Sequence, residues 1–354
     1  MWGCAMWPRD RTDRNDAHDG DGRPSRRPDS HEGRSFPVPD KRRPPSAAVP
    51  VAPRERTGAG VPTDEFTATH VEAVSPVALR DTVEALASFY TRHTYSPHLK
   101  AAATLISDRF TAVGYPDVDR RPWSHAGHSA HNIVCTKPGT GDGEPEIIVC
   151  AHYDCRMEDL ADATARAPGA DDNGSGVAAV LEVARLLAPV DLSTTVRFVA
   201  FSGEEQGLWG SAAYAAELHA ADSDVYRVIN LDMVGRPPAD GSVTVERDIG
   251  NAVPGNDAAS HALGAVMAQS AAAYTSLPVK LGPIYASDYM PFEAHSDITV
   301  GAYEGEGNPH YHRTSDAPST LDYGYLAAVT KTVLATLLTE ALDGVDAARS
   351  TGAP

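Results

Sequence analysis

The sequence contains few cysteines, and those present suggest neither a disulfide framework nor a cysteine-based metal site. Cys4, Cys135, Cys150 and Cys155 are spread over 354 residues, and no CxxC pair occurs. Disulfide-rich folds are short and dense in cysteine, and cysteine zinc sites use closely spaced pairs. Cys135 and Cys150 lie in apolar runs, so we interpret them as small core residues.

Basic residues are scarce relative to acidic ones. The chain has 30 Lys and Arg against 48 Asp and Glu, which gives a formal net charge of −18. Because phosphate groups are bound by basic surfaces, this balance argues against a nucleic-acid partner. We expect most carboxylates to be solvated surface groups and some of them to be metal ligands. The oligomeric state cannot be predicted from the sequence.

Long apolar runs are also missing from the sequence as we interpret it. A membrane-spanning helix needs about 20 predominantly apolar residues, so we predict no membrane partner. The first residues lack the charged start, apolar stretch and small-residue cleavage site of a secretory signal. We therefore expect a cytoplasmic protein by default, or an exported one if the start site is wrongly assigned.

The two ends of the chain are poor in core-forming residues. Residues 1–61 are rich in Arg, Asp, Gly and Pro. Such a segment buries too little apolar area to offset the entropy lost on ordering, so we predict disorder for residues 1–61 and 347–354. The first segment is either a functional tail or the product of a wrongly chosen start site, and both interpretations stay open. We predict one folded domain over residues 62–346.

Helical and strand patterns alternate within that domain. Short apolar runs predict buried strands at residues 132–137, 146–154, 195–202, 226–235 and 298–302. Apolar spacing predicts helices at residues 174–187, 208–218, 257–274 and 320–342, and after Ser75 and Ser96. This alternation predicts an α/β fold with three layers, in which helices cover both faces of a mostly parallel central sheet.

Histidine and carboxylate side chains follow the predicted strands. The residues concerned are His152, Asp154, Glu204, Glu205 and Asp232, together with Asp171 and Asp172 before a helix and His312 in a loop. Ligands of an open α/β sheet bind at the carboxyl ends of its strands. Each residue alone has an ordinary explanation, such as a core histidine or a helix cap. Their combination at one edge of the sheet indicates a metal site.

Six motifs then carry a resemblance to a known family. They are AHYD at 151–154, GADDNGSG at 169–176, FSGEEQGLWGS at 201–211, NLDM at 230–233, SDYMPF at 287–292 and NPHYHRTSD at 308–316. In this order they resemble the di-zinc exopeptidases of peptidase family M28, which include bacterial leucyl aminopeptidases. The resemblance implies that residues 62–346 form a single zinc exopeptidase domain, with a peptide or amino-acid derivative as substrate.

The resemblance also implies a set of metal ligands for two Zn²⁺ ions per chain. His152 and Asp232 would bind one ion, Glu205 and His312 would bind the other, and Asp171 would bridge both. A cis peptide bond would join Asp171 to Asp172. His310 competes with His312 for the ligand position, and Tyr311-His312 matches the family pattern better.

Catalytic roles follow from the same resemblance. Glu204 would be the general base, and a hydroxide shared by the two ions would attack the peptide bond. Tyr311 would hydrogen-bond the tetrahedral intermediate, and Asp154 would fix the tautomer of His152. Two positions depart from the family pattern: Cys155, which stands where serine is frequent, and Tyr289, which stands where histidine is frequent.

The reaction predicted from this pattern is aminopeptidase cleavage, and three alternatives stay open. A carboxypeptidase or dipeptidase would need a cation for the substrate carboxylate, from Arg236, Arg247 or Arg313. A glutaminyl cyclase uses a single zinc, and the retention of His152 argues against it. A non-catalytic scaffold on the same fold is the third alternative, because a fold does not prove activity.

Overall fold

A computed structural model of the chain describes residues 36, 38, 49–50, 64–141, 145–249, 253, 255–284 and 286–342. The predicted disorder at residues 1–61 and 347–354 therefore falls outside the described residues, apart from residues 36, 38, 49 and 50. The described part of the chain contains nine strands and eight α-helices.

The strands are β1 Val49–Pro50, β2 Val118–His125, β3 His128–Lys137, β4 Glu146–His152, β5 Thr195–Phe201, β6 Val225–Leu231, β7 Val243–Arg247, β8 Val279–Pro283 and β9 Thr299–Tyr303. The helices are α1 Glu65–Glu72, α2 Pro76–Ala87, α3 His98–Ala112, α4 Gly174–Leu187, α5 Trp209–Ala220, α6 Asp257–Tyr274, α7 Tyr289–Glu293 and α8 Tyr323–Leu342.

All nine strands form one mixed sheet in the order β1-β8-β7-β9-β6-β4-β5-β3-β2. The central strands β5, β4, β6 and β9 are mutually parallel, whereas β2 and β3 on one side and β7 on the other pair antiparallel. His152 pairs with Phe201, and Leu231 pairs with Ala302. The carboxyl ends of the central strands therefore lie at one edge of the sheet.

Alternate residues of each central strand pack into the two helical layers. In β4, Ile147, Val149 and Ala151 belong to one core cluster, and Ile148 and Cys150 belong to another. The first cluster includes residues of α2, α3, α4, α6 and α8, and the second includes residues of α5 and α7. This period of two on a sheet buried on both faces confirms the predicted three-layer α/β fold.

Helices α4 and α2 begin where the sequence predicts. Asn173 caps α4 by accepting a hydrogen bond from the Gly176 N–H through its side chain. Ser75 caps α2 in the same way by accepting from the Ala78 N–H. Both caps satisfy N–H groups that would lack a partner at a helix start, which explains why these boundaries can be predicted.

The prediction that the chain has no apolar run long enough to span a bilayer does not hold for the last helix, α8. By length and composition α8 would reach across one, but 78% of its most apolar window is buried inside the fold. Val333, Leu334 and Leu337 are fully buried in the main core cluster. A central helix surrounded by other elements is apolar all round, and this explains the high hydropathy of α8.

Candidate metal centre

Six buried side chains from five segments meet at the carboxyl edge of the central strands. His152 ends β4, Glu204 and Glu205 follow β5, and Asp232 follows β6. Asp172 precedes α4, and His312 lies between β9 and α8. None of the six side chains is more than 6% exposed. The structure thus brings together the groups that the strand ends were predicted to supply.

One group of donor atoms surrounds His152. Its Nε2 lies 3.4 Å from Asp172 Oδ1 and 3.5 Å from Asp232 Oδ1. Its Nδ1 lies 3.2 Å from the carbonyl oxygen of Asp154. Because a carbonyl only accepts, the proton belongs on Nδ1, and the Nε2 lone pair then faces the two carboxylates. Imidazole nitrogen and carboxylate oxygen are the donor types that zinc favours.

A second group of donor atoms surrounds His312. Its Nε2 lies 3.0 Å from both Asp172 Oδ2 and Glu205 Oε2. Despite these short distances, His312 Nε2 and Asp172 Oδ2 have no hydrogen-bond partner among the described residues. Buried polar atoms in proteins are normally hydrogen-bonded, so atoms that converge without bonding point to a shared ligand. Asp172 offers one oxygen to each histidine and therefore lies between the two groups.

The structure places Asp172, and not Asp171 as predicted, between the two histidines. Asp171 Oδ1 accepts from the Gly235 N–H at 2.9 Å, and Oδ2 accepts from Asn308 Nδ2 at 2.8 Å. Both oxygens of Asp171 are thus engaged away from the histidines, and the carboxylate between the histidines is that of Asp172. The predicted cis bond between Asp171 and Asp172 was also wrong, because the cis peptide joins Asp172 to Asn173.

Asp154 links the segments that carry these groups. Its carboxylate accepts from Thr94 Oγ1 at 3.0 Å and from the backbone N–H groups of Glu204 and Glu205 at 3.4 and 3.3 Å. Its Oδ1 is 3.6 Å from His152 Nδ1, which is farther than its own carbonyl oxygen. Asp154 therefore holds the loop after β5 in place, and its carbonyl is the nearer acceptor for the histidine.

Negative charge dominates the electrostatics of the centre. Burial raises the pKa of Glu204 well above its usual range, and the nearby Glu205, Asp232 and Asp288 carboxylates raise it further, against the opposing effect of His152. Burial raises the pKa of Asp288 to about 7. Glu205 differs: burial favours its neutral form, but His312 and Arg156 outweigh this effect and lower its pKa to about 2. Such a concentration of carboxylates is stabilised by bound cations.

His310 and His312, both in the loop before α8, have different surroundings. His310 is partly exposed, and its Nδ1 lies 3.0 Å from Ser315 Oγ, away from the carboxylates. His312 is buried against Asp172 and Glu205, as described above. Tyr311 stacks on the His312 ring with the centroids 3.6 Å apart, and it borders the same group. The structure thus places His312 in the centre.

Several residues of the centre were not identified from the sequence. Asp316 accepts from the backbone N–H groups of both Asp171 and Asp172, and so holds the segment that carries the Asp172 carboxylate. Ser287 Oγ donates to Asp232 Oδ2 at 2.6 Å. Arg156 Nε donates to Glu205 Oε2 at 2.8 Å. Asp316 and Ser287 lie inside motifs noted above, whereas Arg156 had no distinguishing pattern.

Buried Arg92 supports the loops on either side of the centre. It is fully buried, and its guanidinium donates to the carbonyl oxygens of Tyr153, Pro168 and Gly169. Tyr153 follows His152, and Gly169 lies shortly before Asp172. One planar group with several donors therefore ties together the segments that carry His152 and Asp172.

The two departures from the family pattern lie outside the converging groups. Cys155 Sγ donates to the Ala167 carbonyl at 3.1 Å and accepts from the Arg92 N–H at 3.2 Å. The Tyr289 hydroxyl donates to Glu246 Oε2 at 2.8 Å, and its ring lies against Gly301. Both side chains are buried, and their hydrogen bonds stabilise the structure around the site.

We expect Cys135, Cys150 and Cys155 to resist alkylation in the folded protein at pH 8. Burial raises the pKa of Cys135 to about 12, that of Cys155 to about 11, and that of Cys150 well above its usual range. Only thiolates react rapidly, so peptide mapping after iodoacetamide treatment should find these three modified only after unfolding. Rapid native labelling of Cys155 would contradict the buried, hydrogen-bonded thiol.

Comparison with known proteins matches the chain to a protein family. The model of the family described as Peptidase family M28 matches residues 132–337. A "Probable zinc metalloprotease" of Pyricularia oryzae is 35% identical over 180 residues, which cover 46% of this chain and 36% of that protein. "Leucine aminopeptidase 1" of Trichophyton equinum is 29% identical over 269 residues, which cover 70% of this chain and 69% of that protein.

Solved structures share the fold. The LapA aminopeptidase of Legionella pneumophila superposes with a TM-score of 0.69 at 20% identity, covering 81% of this chain and 78% of that chain. A glutaminyl cyclase of Fimbriiglobus ruber gives a TM-score of 0.61 at 18% identity, covering 75% and 95%. At these identities the similarity concerns the fold alone. The chain spans less than half the length of the first curated relatives that it matches.

Proposed function

This chain belongs to peptidase family M28, and from that premise we propose that it is a zinc-dependent aminopeptidase. The observation that carries the proposal is the Asp172 carboxylate, which presents one oxygen to each of two buried histidines. A carboxylate in this position suits a pair of metal ions that share one ligand. The names of the fungal relatives, a zinc metalloprotease and a leucine aminopeptidase, support zinc as the metal and the aminopeptidase reaction.

The residues present fit two zinc ions. His152 and Asp232 would hold one ion, Glu205 and His312 would hold the other, and Asp172 would contact both. The fit rests on the donor types and on the buried atoms of Asp172, Glu205 and His312 that lack hydrogen-bond partners among the described residues. When bound, a pair of zinc ions polarises the scissile carbonyl and lowers the pKa of the attacking water.

Glu204 is suited to move the proton in this reaction. It is buried beside the His152 group, with its Oε2 3.8 Å from His152 Nε2. Burial and the neighbouring carboxylates raise its pKa, which favours a group that accepts a proton and then releases it. We propose that Glu204 takes a proton from the attacking water and delivers it to the leaving amine.

Other residues of the chain would recognise the substrate. Tyr311 borders the His312 group, where its hydroxyl would donate to the substrate carbonyl oxygen as it gains charge. The surplus of buried carboxylates favours a cationic α-amino group, with Glu204 and Asp232 as the acceptors that we propose. The arrangement of two histidines about one aspartate favours a two-metal hydrolase over a single-zinc cyclase.

A combined metal and substrate assay tests this function. We expect two zinc ions per chain, and hydrolysis of free aminoacyl anilides without hydrolysis of N-blocked ones, because a blocked amine cannot carry the positive charge that the carboxylates favour. Chelation should abolish the activity, and zinc should restore it. Cyclisation of glutaminyl peptides, or hydrolysis of blocked substrates alone, would overturn the proposal, as would one zinc or none per chain.

A further inference from the structure

Arg156 contacts the candidate metal centre directly, although no motif identified it. It lies two residues after Asp154, and its side chain is 5% exposed. Its Nε donates to Glu205 Oε2 at 2.8 Å, and its guanidinium also donates to the Met157 carbonyl. A buried, permanently charged guanidinium is thus bonded to a carboxylate that we propose as a zinc ligand.

Few other groups hold the Glu205 carboxylate. Oε1 has no hydrogen-bond partner among the described residues. Oε2 contacts Arg156 Nε at 2.8 Å and His312 Nε2 at 3.0 Å. His312 is itself proposed to bind the metal, so it cannot hold Glu205 in place independently of the ion. Arg156 therefore supplies the restraint on Glu205 that is independent of the metal.

We propose that Arg156 is a positioning residue, which holds Glu205 Oε2 towards His312 and thereby sets the affinity of one of the two zinc ions. This inference rests on the proposed function. The Nε–H bond directs Oε2 to the point that His312 Nε2 and Asp172 Oδ2 also face. In the ligand set proposed above, Glu205 holds the ion beside His312 and not the ion between His152 and Asp232, so loss of Arg156 should act on the two ions unequally.

The position of Arg156 separates this role from general support of the fold. Arg92 ties loops together through backbone carbonyls, so its loss would disturb the whole edge of the sheet. Arg156 instead donates a hydrogen bond to the side chain of a proposed ligand, the carboxylate of Glu205. Removal of its guanidinium should therefore weaken the zinc-binding step that uses Glu205 far more than the other step.

The test is a zinc titration against a chromophoric chelator with wild type, Arg156→Met and Arg156→Lys, in which Arg166→Met is the matched control at an exposed arginine. We expect Arg156→Met to bind the first ion normally and the second about 10- to 100-fold more weakly, as is typical when a group that orients a ligand is lost. Arg156→Lys should recover part of this loss, because lysine keeps the charge without the planar geometry. The control should match wild type.

A His312→Ala background identifies the ion that is affected. If Arg156 acts through Glu205 on the ion beside His312, that ion is already lost in His312→Ala, and adding Arg156→Met should weaken zinc binding no further. The thermal unfolding midpoints of the chelated variants would reveal a general loss of stability. Two unchanged zinc affinities, equal weakening of both, or tighter second binding would each overturn the positioning role while the proposed function stands. Fewer than two zinc ions in wild type would instead overturn the di-zinc proposal and this inference together.

Discussion

Glu204→Gln is expected to lower kcat by about 10²- to 10⁴-fold and to leave two zinc ions bound. Glutamine keeps the shape of the side chain but cannot accept a proton at neutral pH. The backbone contact from the Glu204 N–H to Asp154 is independent of this change, so the loop should keep its position. The measurement is steady-state hydrolysis of a free aminoacyl anilide together with zinc content on the same sample.

The matched control for this variant is Glu84→Gln, which makes the same change on the exposed face of α2. It should match wild type in rate and in zinc content. Glu204 also lies close enough to His152 and Asp232 to share a metal with them. If Glu204→Gln lost an ion, Glu204 would be a ligand, and its assignment as the general base would be wrong. Unchanged kcat would likewise exclude it as the base.

Asp172→Asn is expected to abolish two-metal binding and activity, whereas Asp171→Asn should retain two zinc ions. An amide has one oxygen, so it cannot present an oxygen to both His152 and His312 as the Asp172 carboxylate does. The loss of zinc affinity should exceed the roughly 10- to 100-fold typical of groups that only orient a ligand. Asp171→Asn keeps an oxygen for the Gly235 N–H but turns an amide towards Asn308, so it should cost about 1–3 kcal/mol of stability.

Zinc content and the midpoint of thermal unfolding, measured for both variants, separate these two effects. We expect Asp172→Asn to lose the metal and Asp171→Asn to lose stability while it keeps the metal. Loss of both ions in Asp171→Asn, with retention in Asp172→Asn, would restore the assignment made from the motif alone. Each variant is the matched control for the other, because both make the same substitution at adjacent positions.

Local patterns were enough to predict the elements that surround the centre. The limits of α4 match the predicted residues 174–187, because the Asn173 cap and the apolar period are both local. The strands β2, β7 and β8 were not predicted. In β2, Trp123 is the buried residue of a mostly polar run, so no apolar pattern identifies this edge strand. Pairing with β3 through the two-residue turn at Ala126-Gly127 stabilises it, and the partners of Trp123, Ser202 and Trp209, lie far away in the chain.

The sequence by itself determined the α/β class, the edge of the sheet where histidines and carboxylates gather, and most members of that group. These follow from periodicity and from the chemistry of residues at strand ends, which depend on near neighbours. Only the tertiary structure shows that Asp172, and not Asp171, lies between the two histidines, because adjacent aspartates are chemically identical and differ only in the direction of their side chains. That direction is set by Asp316, Gly235 and Asn308, which lie far away in the chain. The pairing of Arg156 with Glu205 likewise spans 49 residues, a separation at which local patterns carry no information.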